Sequence, residues 1–235
     1  MSECEFEGFG TEALPFLKAL GFHQDRDWFH DNKALYESQL RRPLIALVET
    51  ISHRFEQKGL PFRGARKSSL FRINRDIRFA KEKHPYNTHV SGVLTRDGTK
   101  KDTGGLYFQI GPEGSFMASG LWYPQGTKLR AFRELMIERA EEFFTLEDDL
   151  KSNGLKFGTE SKLTRPPNGF KHVHDERLIE RLKYKSFVVS QPLDEETLYS
   201  SKLLDEMEDF ARIVVPFMQF VWRATDPLRE EDGNA

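Results

Sequence analysis

Arg72, Arg75, Arg78 and Lys81 stand at every third position of one short segment, "FRINRDIRFAKEKHPYN", Phe71 to Asn87. Steps of three drift by about 60° around an α-helix and fall on alternate faces of a strand, so the period itself marks no regular element. The residue types carry the meaning. Guanidinium groups form two parallel hydrogen bonds to a phosphate or carboxylate, whereas a lysine acts as a point charge. Read as a strand, the segment turns Phe71, Ile73, Ile77 and Phe79 one way with Arg75 among them, and Arg72, Asn74, Asp76 and Arg78 the other. Asp76 can neutralise Arg72 or Arg78, which leaves at least one guanidinium free. Arg75, flanked by apolar neighbours, must find a distant carboxylate, snorkel, or border a cavity. His84-Pro85 then forces the chain out of helical geometry. Lys81, Lys83, Tyr86 and Asn87 therefore project from a turn just past the strand end. Together these groups make an anion cradle, with Asp76 or His84 as proton donor or acceptor if the ligand is acted upon.

Other chemistry has weaker support. The sequence holds no G-x-x-x-x-G-K-[ST] loop, no G-x-G-x-x-G after a strand and no G-x-S-x-G elbow, so no nucleotide cofactor is expected. His172 and His174 lie on the same side of an extended segment beside Asp175, and His84 and His89 add two more imidazoles. Without thiolates or an H-E-x-x-H helix the H-x-H pair is a weak ligand set, and no metal is expected.

The elements that must position the cradle can be read along the chain. Thr11 to Leu20 reads as a helix with Thr11 as N-cap and Gly21 as C-cap. A second helix begins at Asp25 or Asp27 and carries Trp28, Phe29, Leu35, Tyr36 and Leu40 as a stripe. Pro43 marks a kink or the first turn of a further helix, Leu44 to Glu56, ended by Gly59. Leu60 to Ser69 is a basic loop. Leu70–Phe79, Thr88–Thr95, Gly105–Gly111 and Ser115–Trp122 read as an antiparallel meander. Lys128 to Phe144 is helical, Pro166-Pro167 and Asn168-Gly169 impose a turn, Asp175–Tyr184 is a helix and Ser186–Ser190 a strand. Asp194 starts the last helical stretch, whose Leu203, Met207, Phe210, Val214, Phe217 and Val221 form a core-facing stripe bent at Pro216. The expectation is a single α+β domain, an antiparallel sheet of about four to six strands with helices packed against it.

At this point the motifs can be set beside known families. "RDWFHDNKALYE" (Arg26–Glu37), the opening segment through "HPYNTH" (His84–His89), "GLWYP" (Gly120–Pro124), "RPPNGF" (Arg165–Phe170) and "YKSF" (Tyr184–Phe187) occur in this order. Together they resemble the domain-of-unknown-function family 2461, over about Phe9 to Trp222. The resemblance implies an assembly rather than a reaction: Lys33, Arg75, Arg78, Lys83, Tyr86, Arg165 and Lys185 lie in separate motifs that are expected to converge. Where the family pattern ends in Lys, this chain has Asn87, which removes one positive charge. Lys33, on the aromatic stripe of its helix, either snorkels or points into a pocket.

Composition bounds the rest. The chain has 235 residues, 38% hydrophobic and 31% charged, enough for one large core in a water-soluble protein. With 20 Phe, that core is expected to be largely aromatic. No apolar run approaches a membrane span, the acidic "MSECEFEGFG" start does not read as a signal peptide, and Cys4 is the one cysteine, so a reducing, cytoplasmic setting is expected. Nothing sets the oligomeric state. Net charge is −2, but Pro61 to Lys101 holds eleven bases against three acids and Asp194 to Ala235 eleven acids against four bases. Three functions fit this asymmetry. The first is binding of a small anionic ligand at Lys33, Arg72, Arg75, Arg78, Lys83 and Tyr86. The second is non-specific nucleic-acid binding, with Tyr86, Tyr107, Phe108, Trp122 and Tyr123 as stacking faces. The third is a protein-interaction module with an aromatic surface around Trp122-Tyr123, which requires the guanidinium groups to be paired internally by Asp205, Glu206, Glu208 or Asp209.

Overall fold

A computed structural model describes residues 5–78 and 83–228. Lys81 and Phe79, both part of the expected cradle strand and turn, lie outside the described residues. The fold is α+β. Helix α1 is Ala13–Phe22, α2 Arg26–Asp31, α3 Lys33–Tyr36 and α4 Arg42–Gln57, with a π-helical turn over Glu37–Arg41 joining the last two. Strands β1 (Val90–Leu94), β2 (Gly105–Ile110) and β3 (Ser115–Leu121) follow. After them come α5 (Gly126–Glu138), α6 (Ala140–Ser152), α7 (Glu176–Leu182), β4 (Phe187–Leu193), α8 (Glu195–Leu198) and α9 (Lys202–Thr225). Among the described residues the strands form one four-stranded antiparallel sheet in the order β1-β2-β3-β4.

The chain divides into two compact units. The first comprises Met1–Asp102, Leu106–Met117 and Gln191–Phe210. Its core is drawn from helical stripes: Leu44, Leu47, Val48, Ile51 and Phe55 of α4 are buried at spacings of three and four, and Leu203, Leu204, Met207 and Phe210 of α9 likewise. Pro43 sits in the first turn of α4, directly after the π-helical turn over Glu37–Arg41. The Asp25 carboxylate caps α2 by accepting from the Trp28 N–H at 2.7 Å. In the β1–β2 pair, Val90, Gly92 and Leu94 face Ile110, Phe108 and Leu106 on the buried side, while Ser91 and Val93 stand opposite Gln109 and Tyr107 on the other.

The second unit comprises Thr103–Gly105, Ala118–Ser190 and Ala211–Ala235. Its core is aromatic, as the phenylalanine content leads one to expect. Phe132 lies 4.7 Å from Phe187 and 5.8 Å from Phe220 by ring centroids, and Phe157 lies 5.0 Å from Phe217. Pro216 is inside α9, which continues as one helix on both sides of it.

Several boundaries differ from the sequence reading. Helix α1 starts two residues later than Thr11 and ends past Gly21, with Glu12 and His23 at its ends. The expected Lys128–Phe144 helix is two helices, because Arg139 leaves helical geometry at φ −118°, ψ 45°. Glu141 and Glu142 then lie in the first turn of α6, where the helix dipole favours acids. Asp194 precedes only the short α8; α9 begins at Lys202. Leu70–Phe79 is not a strand over its described part. It makes two isolated antiparallel bridges, Leu70 with Gly92 and Asn74 with Tyr86.

Candidate functional site

Those two bridges have different registers, and the difference builds the site. From the first to the second, one segment runs from 70 to 74, four steps, and its partner from 92 to 86, six steps. Two residues of the partner are therefore surplus, and the ladder opens around Asn87–His89. Such bulges interrupt pairing and re-aim side chains. Both bridges are well made. The Phe71 N–H donates to the Ser91 carbonyl at 3.0 Å and the Val93 N–H to the Ser69 carbonyl at 3.0 Å. The Arg75 N–H donates to the Pro85 carbonyl and the Asn87 N–H to the Ile73 carbonyl, each at 2.8 Å. The opening is thus held at both ends.

The α1–α2 junction supports it from the other side. Gln24 accepts from the Tyr86 N–H at 3.1 Å through Oε1 and donates to the Leu20 carbonyl at 2.9 Å through Nε2. The Tyr86 ring stacks on Phe29 with centroids 4.4 Å apart and planes within 16°. Tyr86 is buried, and burial pushes its phenol pKa up.

Two adjacent clefts border this opening. One, of about 170 Å³, is lined by Phe71, Arg72, Asn87, His89, Ser91 and Tyr107. The other, of about 460 Å³, has Arg75, His84, Tyr86 and Gln24 in its walls. Asn87 and His89 belong to both. Among the described residues neither lining contains a carboxylate, and neither Arg72 nor Arg75 has an ion-pair or hydrogen-bond partner for its guanidinium. Asn87 Nδ2 donates to the Arg72 carbonyl at 3.2 Å and so fixes the backbone between the clefts. Burial holds the His89 pKa below the usual imidazole range, with Glu113 pulling the other way, so the ring is neutral at neutral pH. Lys100 lies over the Phe71 ring, 5.0 Å from its centroid, and burial together with the nearby Arg72 charge lowers its pKa.

The sequence candidates divide accordingly. Arg72, Arg75, Tyr86 and His84 line the clefts. Arg75 is exposed and outside any apolar row, because the segment does not keep the alternation of a strand. Arg78 is engaged by Asp76, donating from Nη2 at 2.7 Å and from Nε at 3.0 Å. That guanidinium holds the Asp76 carboxyl below the usual range, which suits an ion-pair partner and not a proton carrier. Lys83 donates from Nζ to the Ile77 carbonyl at 2.9 Å. Lys33 is exposed on α3 and lines neither cleft, the snorkelling alternative. Arg165 and Lys185 are exposed residues of the second unit. His172 and His174 are exposed there too, and among the described residues no group of three or more His, Cys, Asp or Glu is arranged to hold a metal ion.

Gln24, Thr88, His89, Ser91, Tyr107 and Lys100 are lining or bordering residues that sequence reasoning did not place in the cradle. Tyr107 had a readable signal: it alternates with the buried Leu106 and Phe108 and so faces outward on β2. In the second unit Trp122 is 71% exposed and packs edge-on to Tyr123 at 4.9 Å, with Tyr123 at a positive φ of 34°. Among the described residues no helix is long and apolar enough to cross a membrane.

Three of the four acids weighed as internal partners meet other groups. Asp205 accepts from Arg54 at 2.7 Å, Glu208 lies 3.6 Å from Lys58, and Glu206 accepts from Thr197 at 2.9 Å. Both bases belong to α4 or its end, outside the Pro61–Lys101 basic stretch. Searches of curated proteins and of solved structures return no match to this chain. The model of the family described as conserved hypothetical protein (DUF2461) matches residues 12–220, nearly the whole length, and the chain belongs to that family.

Proposed function

We propose that the protein binds a small anionic ligand, phosphorylated or carboxylated, in the clefts beside Asn87 and His89. The observation that supports this reading is the pair of guanidinium groups, Arg72 and Arg75, that border the clefts without a carboxylate partner among the described residues. Unpaired arginines beside neutral donors and acceptors are complementary to an oxyanion, which replaces the water they would otherwise hold. Asn87, Ser91 and Tyr107 supply those neutral groups. In an enzymatic form of this reading His84 carries the proton, since Asp76 is committed to Arg78.

A thermal-shift panel of phosphate, sulfate, sugar phosphates, nucleotides, dicarboxylates and short oligonucleotides tests it. A ligand present at about a hundred times its Kd adds about 2.7 kcal/mol. For a chain of this size that raises Tm by roughly 5–10 °C. Arg75→Ala is expected to remove the ligand-dependent rise and to leave the ligand-free Tm within about 2 °C, because an exposed residue contributes little to stability. An unligated Arg75→Ala protein that unfolds, with a parent indifferent to every anion, would make Arg75 a structural residue and end this reading.

A further inference from the structure

The site has two compartments and one unpaired guanidinium in each. Arg72 borders the smaller cleft and Arg75 the larger. Each arginine lines its own cleft and not the other, and three residues of chain separate the two by at most about 10 Å. The pair is therefore ill placed to pinch a single oxyanion and well placed to hold two. Between them Asn87 and His89 form a shared wall of hydrogen-bonding groups. The clefts also differ in size, about 170 Å³ against about 460 Å³, so their occupants differ.

We propose that the two clefts are halves of one site for a ligand bearing two anionic groups. Arg72 holds a bare terminal carboxylate or phosphate, Arg75 holds the bulkier anionic end, and Asn87 and His89 meet the linker between them. This inference rests on the anion-binding reading above and narrows it to bis-anions. Linking two weak sites turns the second contact into an intramolecular one, which raises affinity steeply only when the linker matches the span.

The test compares methylphosphonate with α,ω-alkane bisphosphonates of graded chain length, titrated into the protein and followed by NMR chemical shifts. Methylphosphonate is expected to bind weakly at two sites per chain. One bisphosphonate length is expected to bind at one per chain and at least about tenfold tighter, with shorter and longer ones weaker. Arg72→Ala and Arg75→Ala are each expected to bring that bisphosphonate down to the methylphosphonate level and to leave one methylphosphonate site. Both arginines are exposed, and an unchanged ligand-free Tm checks that each variant folds. Bisphosphonates no tighter than methylphosphonate at any length would overturn the two-part site and leave simple anion binding standing. Loss of all methylphosphonate binding in either single variant would do the same, by showing one oxyanion held by both arginines. No response to any phosphonate would overturn both readings.

Discussion

His89 is the residue whose chemistry responds most directly to an occupant. Burial lowers its pKa from the ordinary 6.5, and Glu113 opposes that shift. In the free protein a depressed histidine pKa favours the neutral ring. The associated stability is therefore fully present above the unfolded value and is lost as pH falls through the folded one. An oxyanion in either cleft reverses the preference, because it stabilises the imidazolium. Binding must then take up a proton, and affinity must rise as pH falls. Arg72, Arg75 and His84 share the linings with His89. Sulfate is the suitable probe, since its own charge stays constant. Its affinity is expected to increase several-fold, up to about tenfold per unit of pKa shift, between pH 7.5 and 5.5, while the ligand-free protein loses stability over the same interval. His89→Gln is expected to flatten most of the rise. A sulfate affinity independent of pH in the parent protein would place His89 away from the bound anion. Sequence reading considered His89 only as a weak metal ligand; burial, which sets its role, is not visible in an H-P-Y-N-T-H string.

Among the elements, those whose identity follows from a repeating pattern were legible. The stripe Leu203, Met207, Phe210, Val214, Phe217 and Val221 is buried throughout α9, and the meander of β1, β2 and β3 lies where turn residues bracket β-branched and aromatic runs. What failed was the segment from Leu70. Its composition is that of a strand, but its pairing is cut to two bridges by surplus residues in the partner, and register is a property of two segments at once. The break at Arg139 was missed for a related reason: Phe132, Met136 and Phe143 keep an apolar stripe across it. Pairing of β3 with β4 carries a requirement that the sequence states only as a glycine in "GLWYP". Gly120 has a φ of 139°, and a Cβ there would overlap the Phe187 carbonyl. Gly120→Ala must combine backbone strain with displacement of a neighbouring strand, at a cost of about 3 kcal/mol or more. For a chain this long that lowers Tm by roughly 6–12 °C, measurable by calorimetry. A loss below about 2 °C would mean that β4 can move away freely, and the close approach would not constrain the sheet.

At the scale of the whole molecule, charge is what the sequence displayed most plainly and explained least. The basic and acidic stretches invited the view that they cancel one another, yet Asp205 and Glu208 meet Arg54 and Lys58, and Arg63 donates to the Leu60 and Phe62 carbonyls. Arg72 and Arg75, whose guanidinium groups have no partner among the described residues, sit at a local opening. That distribution separates a pocket for small anions from a track for a polyanion. A nucleic-acid track neutralises many phosphates, and each released counterion steepens the dependence of log K on log salt. Here two free guanidinium groups and the neighbouring Lys100 are on offer, in a chain of net charge −2. Two or three phosphate contacts give a slope near −1.4 to −2.1 for single strands. Fluorescence titration of a labelled oligonucleotide is therefore expected to show a Kd weaker than about 100 μM at 150 mM salt, with a slope in that shallow range. A Kd in the low micromolar range with a slope steeper than about −4 would require about six or more phosphates to be neutralised, more than these clefts can supply. The basic stretch would then act as a surface, and the paired clefts would be incidental to it.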